Sequence, residues 1–162
     1  SRAPGPATQA GTRAPQPMLR GFRCGTAATR YRLVDRRDGL YPDRMRILEN
    51  VISDRGSKYA VSGGPCRSDA EAKAFIKELC RKKKFAKATH NTWAVLTSDA
   101  PLKNDDGEAG AGMVILRMLE REDLRDHIIV VTRWFGGKHL GGDRFRRVQD
   151  AVRYYLDDLR SR

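Results

Sequence analysis

Residues 128–147, IIVVTRWFGGKHLGGDRFRR, combine residue types that favour the binding of an anion. Two Gly pairs follow an apolar run, and a basic helical pattern begins after them. Glycine lets backbone N–H groups approach a ligand, and a helix amino end favours negative charge. The segment indicates a phosphate-binding turn; an ordinary strand-to-helix turn with an incidental basic surround is the alternative, which the segment alone does not exclude. The candidate contacts are Arg133, Lys138, His139, Arg144, Arg146 and Arg147.

A second group, His90 with Asp105, Asp106 and Glu108, holds the residue types of acid–base chemistry. Its spacing is not diagnostic of a metal site, and we expect neither a metal nor a cofactor. The favoured interpretation is a structural network. In it, Asp105 or Asp106 binds backbone N–H groups of the DDGEAGAG turn and pairs with Arg133. The alternative is a small hydrolase or transferase site, which requires these groups to converge in an open cleft.

A run of lysines follows the first predicted helix, where cations suit the carboxyl end of the helix dipole. In a chain of this charge such a run also favours phosphate contacts, although a solvated helix end is the ordinary interpretation. Three aromatic residues, Trp93, Trp134 and Phe135, are candidates to stack on bases, and at least Trp93 is expected in the core. The lysines are Lys82, Lys83, Lys84 and Lys87.

From about residue 47 the pattern predicts alternating strands and helices that would carry these groups. Ser68 with Glu71 predicts a capping box at the start of a helix. The apolar run at 127–134 predicts a central strand, and helical periodicity predicts a last helix over 143–159. Further strands are expected at about 57–62 and 93–97, and a short helix is expected around 115–119. The stretch through Pro101 and Asn104 is expected to be a loop.

The composition points to a polyanionic partner. The chain of 162 residues carries 32 Lys and Arg against 20 Asp and Glu, a net charge of +12. Such a charge attracts nucleic acid through counterion release. No apolar run reaches the roughly 18 residues that a membrane-spanning helix needs. Cys24, Cys66 and Cys80 fit neither a disulfide framework nor a zinc site, which indicates a reducing compartment.

Residues 1–46 form a separate basic segment. They hold ten Arg and three Asp, so they carry +7 of the net charge. This segment cannot bury a core, and we expect a disordered arm. Arg-rich composition with little acid is typical of mitochondrial targeting segments, while a basic arm on a cytosolic protein is the alternative. Its candidate RNA contacts are Arg20, Arg23, Arg30 and Arg32.

Three blocks resemble the Impact family: DRGSKYAV (54–61), KATHNTWAV (87–95), and DDGEAGAG (105–112) paired with VVTRWFGGKHLGGDRFRR (130–147). Their order covers about two-thirds of the chain, and the LGGDRF ending is similar to the eukaryotic branch. Eukaryotic members usually carry an N-terminal RWD domain that binds partners of a stress-activated kinase. Since 46 residues are too few for that domain, we expect the basic arm in its place.

The resemblance implies an α/β fold like that of elongation factor G domain IV and ribosomal proteins, and a link to translation. We expect a single two-layer domain over 47–162, with a mixed sheet and helices on one face. The function expected is non-enzymatic binding of RNA or the ribosome, with rRNA and ribosomal or assembly proteins as partners and no preference for DNA. A mitochondrial ribosome, in the matrix, is the favoured setting. The alternatives are a cytosolic regulator of translation acting through protein partners, and the hydrolase or transferase.

Overall fold

A computed structural model of the protein describes residues 45–162, so the candidate RNA contacts of the arm, Arg20, Arg23, Arg30 and Arg32, lie outside the described part. The chain forms five strands and four helices over these residues. In order they are β1 (Arg46–Asp54), β2 (Ser57–Pro65), α1 (Asp69–Leu79), α2 (Lys83–Ala86), β3 (His90–Leu96), β4 (Pro101–Asn104), α3 (Ala111–Arg121), β5 (His127–Trp134) and α4 (Asp143–Arg160).

The five strands form one open sheet in the order β1-β2-β5-β3-β4, and every neighbouring pair is antiparallel. The predicted α/β class is confirmed, but the sheet is not mixed. Strands β2 and β3 run parallel to each other. They are not neighbours, however, because β5 lies between them and is antiparallel to both.

Helices cover both faces of the sheet, which differs from the expected two layers. Tyr59 and Val61 of β2 pack with α3 and α4, whereas Ala60 between them packs with α1 and α2. Strand β5 alternates in the same way, with Ile129 on the first face and Ile128 on the second. A strand that is apolar at every position is buried on both sides, and that requires helices on both sides.

The predicted boundaries of helices and strands agree best with the structure where a local sequence signal is strong. The Ser68 hydroxyl accepts a hydrogen bond from the Glu71 N–H at 3.2 Å, which confirms the capping residue of α1. Strand β5 and helix α4 lie where they were predicted. Strand β4 lies where we expected a loop, and the sequence pattern did not predict β1. None of the helices in residues 45–162 is long and apolar enough to cross a membrane.

This topology gathers the candidate residues at one end of the sheet. Because neighbouring strands are antiparallel, β5 and β4 end there while β2 and β3 begin there. Helix α3 also begins there, directly after β4 and its turn. The Gly-rich loop (residues 135–142) follows β5 and leads into α4 from the same end.

At the opposite end of the sheet, His127 predicts a pH dependence of stability. Its Nε2 lies 2.8 Å from the Tyr155 hydroxyl, and burial lowers the pKa of His127 to about 4. Between about pH 6.5 and 4 the unfolded chain therefore binds a proton that the folded chain does not. We expect the free energy of unfolding to fall by about 1 to 3 kcal/mol as the pH drops through this window. Urea unfolding at several pH values measures it.

The matched control for this prediction is His127→Gln, which does not titrate. Its free energy of unfolding should change less across the same window. An identical pH dependence in the two proteins would contradict the assignment to His127.

Candidate nucleic-acid interface

A buried ion pair lies at the centre of the site. The Arg133 guanidinium donates from Nη1 to Glu108 Oε1 at 2.5 Å, and the two side chains are only 7% and 3% exposed. The rings of Tyr59 and Phe135 lie 5.9 and 5.7 Å from the guanidinium carbon. Water is largely excluded, so the two charges depend on each other. We expected Asp105 or Asp106 as the partner of Arg133; the structure assigns Glu108 instead.

Asp105 caps helix α3 from the preceding turn. Its two carboxylate oxygens accept hydrogen bonds from the Gly110 and Gly112 N–H groups at 3.0 and 2.8 Å. Burial acts to raise the pKa of Asp105, but these N–H groups and the charge of Lys103 outweigh it, so the pKa lies below its ordinary value. The expected bond from this turn to its own backbone is confirmed. The positive end of α3 is therefore already neutralised by the chain itself.

Asp106 and His90 also bind the backbone of this region. The Asp106 carboxylate accepts a hydrogen bond from the Asn91 N–H at 2.7 Å. His90 Nδ1 lies 2.8 Å from the Asp106 carbonyl oxygen, so it donates the hydrogen bond and carries the proton. The four candidate acid–base groups come together around one turn, but each is engaged in holding it. Among residues 45–162, no group of three or more His, Cys, Asp or Glu is placed to hold a metal ion.

The first half of the Gly-rich loop is fixed to the sheet. The Phe135 N–H donates to the Thr89 hydroxyl at 2.8 Å, and the Gly136 N–H donates to the Ser57 hydroxyl at 3.2 Å. A Cβ on Gly136 would lie 1.9 Å from the carbonyl carbon of Gly56, so two backbones pack directly here. No side chain fits at this contact.

The second half of the loop is exposed except for Leu140, which is buried in the core. Apart from the adjacent residues, no heavy atom of the described chain lies within 4 Å of the Cβ position of Gly137, Gly141 or Gly142. Gly137 and Gly141 have φ values of +90° and +56°, which favour glycine. Helix α4 begins after Gly142 without a side-chain cap. The chain thus leaves this helix start accessible, in contrast to that of α3.

The cations on and after the loop divide into two groups. The side chains of Lys138 and Arg146 are exposed and form no ion pair or hydrogen bond within residues 45–162. Arg55 and, to a smaller extent, the charge of Arg146 lower the pKa of Asp143. Arg147 is engaged, with Nε 3.2 Å from Asp54 Oδ2 and Nη1 donating to Asp150 Oδ2 at 2.9 Å. The half-buried Arg144 lies 4.8 Å over the Phe145 ring.

The lysine run lies beside the same end of β5, on the other face of the sheet. The Trp134 indole N–H donates to the Lys84 carbonyl oxygen at 2.9 Å, which joins α2 to the strand. The Lys84 ammonium pairs with Glu49 at 2.9 Å and lies 5.2 Å from the Trp134 ring. The other three lysines are exposed and form no ion pair in the described chain. They are Lys82, Lys83 and Lys87.

The aromatic candidates separate by exposure. Trp93 is buried, as expected, and Trp134 is half-buried with its ring edge-on to Phe85 at 5.3 Å. Phe135 is exposed, with its ring 5.4 Å from that of the equally exposed His139.

Sequence reasoning missed the polar residues that hold this end together. The Asn91 side chain donates to the Phe85 carbonyl at 3.1 Å and accepts from the Thr132 hydroxyl at 2.8 Å, both in buried positions. With Ser57 and Thr89, it ties α2 and the Gly-rich loop to the sheet. Single Ser, Thr and Asn residues carry no distinctive spacing, and only their places inside the blocks of family resemblance pointed to them.

The domain has an antiparallel sheet covered by helices on both faces. At one end of the sheet lie a capped acidic turn and a loop with an Arg–aromatic–Gly sequence. Together these features define a class of domain. The Impact N-terminal domain matches residues 55–156, and the chain belongs to this family. The resemblance stated from the sequence is therefore confirmed.

The protein IMPACT of Xenopus laevis is 36% identical over 112 residues, covering 65% of this chain and 36% of that protein. The IMPACT homolog of Caenorhabditis elegans is 33% identical over 125 residues, covering 72% of this chain and 49% of that protein. The chain thus spans about a third to a half of these relatives.

Two solved structures are similar to the chain. One, described as the crystal structure of a hypothetical protein, has a TM-score of 0.58 at 21% identity and covers 70% of this chain and 56% of its own, which supports the fold. The other, described as the two-domain translational regulator Yih1, is 30% identical, covers 67% of this chain and 44% of its own, and has a TM-score of 0.42.

The buried ion pair predicts a large asymmetry between single and double substitutions. Glu108→Ala leaves the Arg133 charge buried without its partner, and we expect it to lower the free energy of unfolding by about 3 to 5 kcal/mol. Replacing both residues, as Glu108→Leu with Arg133→Met, removes the uncompensated charge and should recover most of that loss. Urea unfolding of the three proteins measures both effects. A Glu108→Ala variant as stable as the unmodified protein would contradict the pairing.

Proposed function

We propose that this protein is a non-enzymatic RNA-binding protein that acts in translation, as a component or assembly factor of the mitochondrial ribosome. The observation that carries the proposal is a set of exposed cations at one end of the sheet that pair with no acid of the described chain. They are Lys82, Lys83, Lys87, Lys138 and Arg146. Exposed positive charge that forms no ion pair, beside an exposed Gly-rich turn, is the kind of surface that binds phosphates.

The arrangement of the acidic groups supports this function in preference to catalysis. Glu108 neutralises Arg133 and Asp105 neutralises the start of α3, both inside the domain. These two acids are thus directed inward, Asp54 and Asp143 pair with arginines at the surface, and the unpaired cations face solvent. Each of the four candidate acid–base residues holds the backbone or an ion pair. The four candidate acid–base residues accordingly support a structural role.

The link to translation rests on membership of the Impact family and on the overall charge of +12. The mitochondrial setting rests on the composition of residues 1–46, with ten Arg and three Asp. The family equally favours a second candidate, a cytosolic regulator of translation that acts through protein partners. The two differ in whether the cations at the end of the sheet contact phosphate.

Substitution of two unpaired cations predicts a defined change in salt dependence. The full chain should bind single-stranded RNA with an affinity that falls steeply as salt rises. In Lys138→Ala/Arg146→Ala the affinity should be lower, and the slope of log affinity against log salt should be shallower by about 1.4, from roughly 0.7 per phosphate contact. Fluorescence anisotropy over a salt series measures it.

The control is Arg121→Ala/Arg125→Ala, which removes the same charge from exposed positions near the carboxyl end of α3. Its slope should remain that of the unmodified protein. Two results would show that contacts at this end of the sheet do not bind RNA phosphates. One is an affinity of the unmodified protein that does not change with salt. The other is an equal decrease in the slope of log affinity against log salt in the two double variants.

The targeting part of the proposal has its own test. Residues 1–46 fused to a fluorescent protein should direct it to the mitochondrial matrix, because import requires a positively charged segment poor in acids. Changing Arg20, Arg23, Arg30 and Arg32 to Gln should remove most of that signal. A cytosolic distribution of the unmodified fusion favours the cytosolic regulator.

A further inference from the structure

Phe135 is a large apolar side chain held in solvent at the centre of the candidate interface. It is 43% exposed, although it directly follows the last residue of β5. Among the described residues, Met113 and Tyr154 are the other large hydrophobic residues of comparable exposure, and both lie on helix surfaces. Phe135 instead lies in the fixed half of the Gly-rich loop, two residues before the exposed Gly137.

The backbone that carries this ring is rigid. The Phe135 N–H is bound to the Thr89 hydroxyl at 2.8 Å, and Gly136 is packed directly against Gly56. The ring is therefore presented to solvent in a fixed position, without further loss of backbone freedom when a ligand binds. Such preorganisation strengthens binding because less conformational entropy is lost.

The surroundings of the ring match one kind of ligand. The buried Arg133 guanidinium lies 5.7 Å from the Phe135 ring, and the exposed His139 ring lies 5.4 Å away. Lys138 extends from the same loop without an ion pair in the described chain, and Gly137 has empty space around it. An aromatic platform with flanking cations and open backbone suits a base next to its own phosphates.

We infer that Phe135 stacks on an unpaired base, so that the RNA bound at this surface is single-stranded. The inference rests on the proposed function and names the class of RNA. In a duplex both faces of every base are covered, whereas a base in a loop or a single-stranded stretch is free to stack on protein. Every base has a flat aromatic face, so recognition by Phe135 is tolerant of sequence.

A purely structural role for Phe135 makes a different prediction. In that role the ring covers the Arg133–Glu108 pair, and any apolar side chain of similar size would serve. Phe135→Leu retains the apolar cover but removes the aromatic face. Phe135→Trp retains the aromatic face and adds a fluorophore that a stacked base quenches.

The experiment compares two oligoribonucleotides of about twelve nucleotides, one of uridylate and one abasic, bound to the full-length protein. Both have the same phosphates, so the proposed function predicts salt-dependent binding of both. We expect the uridylate to bind about tenfold more tightly than the abasic strand. Phe135→Leu should remove that difference while leaving the abasic affinity unchanged. The fluorescence of Phe135→Trp should fall with uridylate and not with the abasic strand.

Equal affinity of the unmodified protein for the two strands overturns the inference and leaves the proposed function in place. A Phe135→Leu protein that keeps the full preference also overturns it. If neither strand binds, the proposed function and the inference fail together. A blunt-ended RNA duplex of equal charge, which has no unpaired bases, should bind no more tightly than the abasic strand; tighter binding of the duplex also overturns the inference.

Discussion

The buried pair of Arg133 and Glu108 sets the constraint on which the candidate interface depends. A guanidinium with so little access to water is tolerated only with a partner, and Glu108 reaches it because the acidic turn folds against the sheet. That turn is held in place by Asp105 and Asp106, which bind the backbone of α3 and β3. Fixing one charge inside the domain thus fixes β4, the start of α3 and the end of β5 together.

The consequence for the surface is that part of the positive charge has no acidic partner in the described chain. Asp105, Asp106 and Glu108 are directed at backbone N–H groups or at Arg133, and Asp54 and Asp143 pair with arginines, while several Lys and Arg residues form no ion pair. Helices α3 and α4 differ at their starts. Asp105 caps the start of α3, whereas α4 begins after the exposed Gly141 and Gly142 and has no side-chain cap. The same segment therefore combines a rigid framework with an accessible cationic edge. Rigidity in the framework is what allows a ring such as Phe135 to remain exposed.

Much of this organisation follows from local patterns. The capping residue Ser68, the apolar run of β5 and the periodicity of α4 were predictable because each is determined by neighbours in the chain. Strand β4 was not, since it is four residues long and begins with Pro101. Strand β1 contains a register shift with Asn50 at φ 54°, which interrupts the alternation that marks a strand. The partner of Arg133 depends on how the acidic turn folds in three dimensions, and three neighbouring carboxylates were equally available in sequence.

The position of β5 in the sheet has a consequence for biosynthesis. The pairs β1–β2 and β3–β4 are hairpins that can form early, but each needs β5 as its inner neighbour. Residues 127–134 follow both hairpins in the chain, so the two hairpins remain separate until β5 has been made. Long-range pairing of this kind is slow and is completed only when the whole domain is available. The sheet of a nascent chain can therefore be completed only after β5 has been synthesised and has paired with both hairpins.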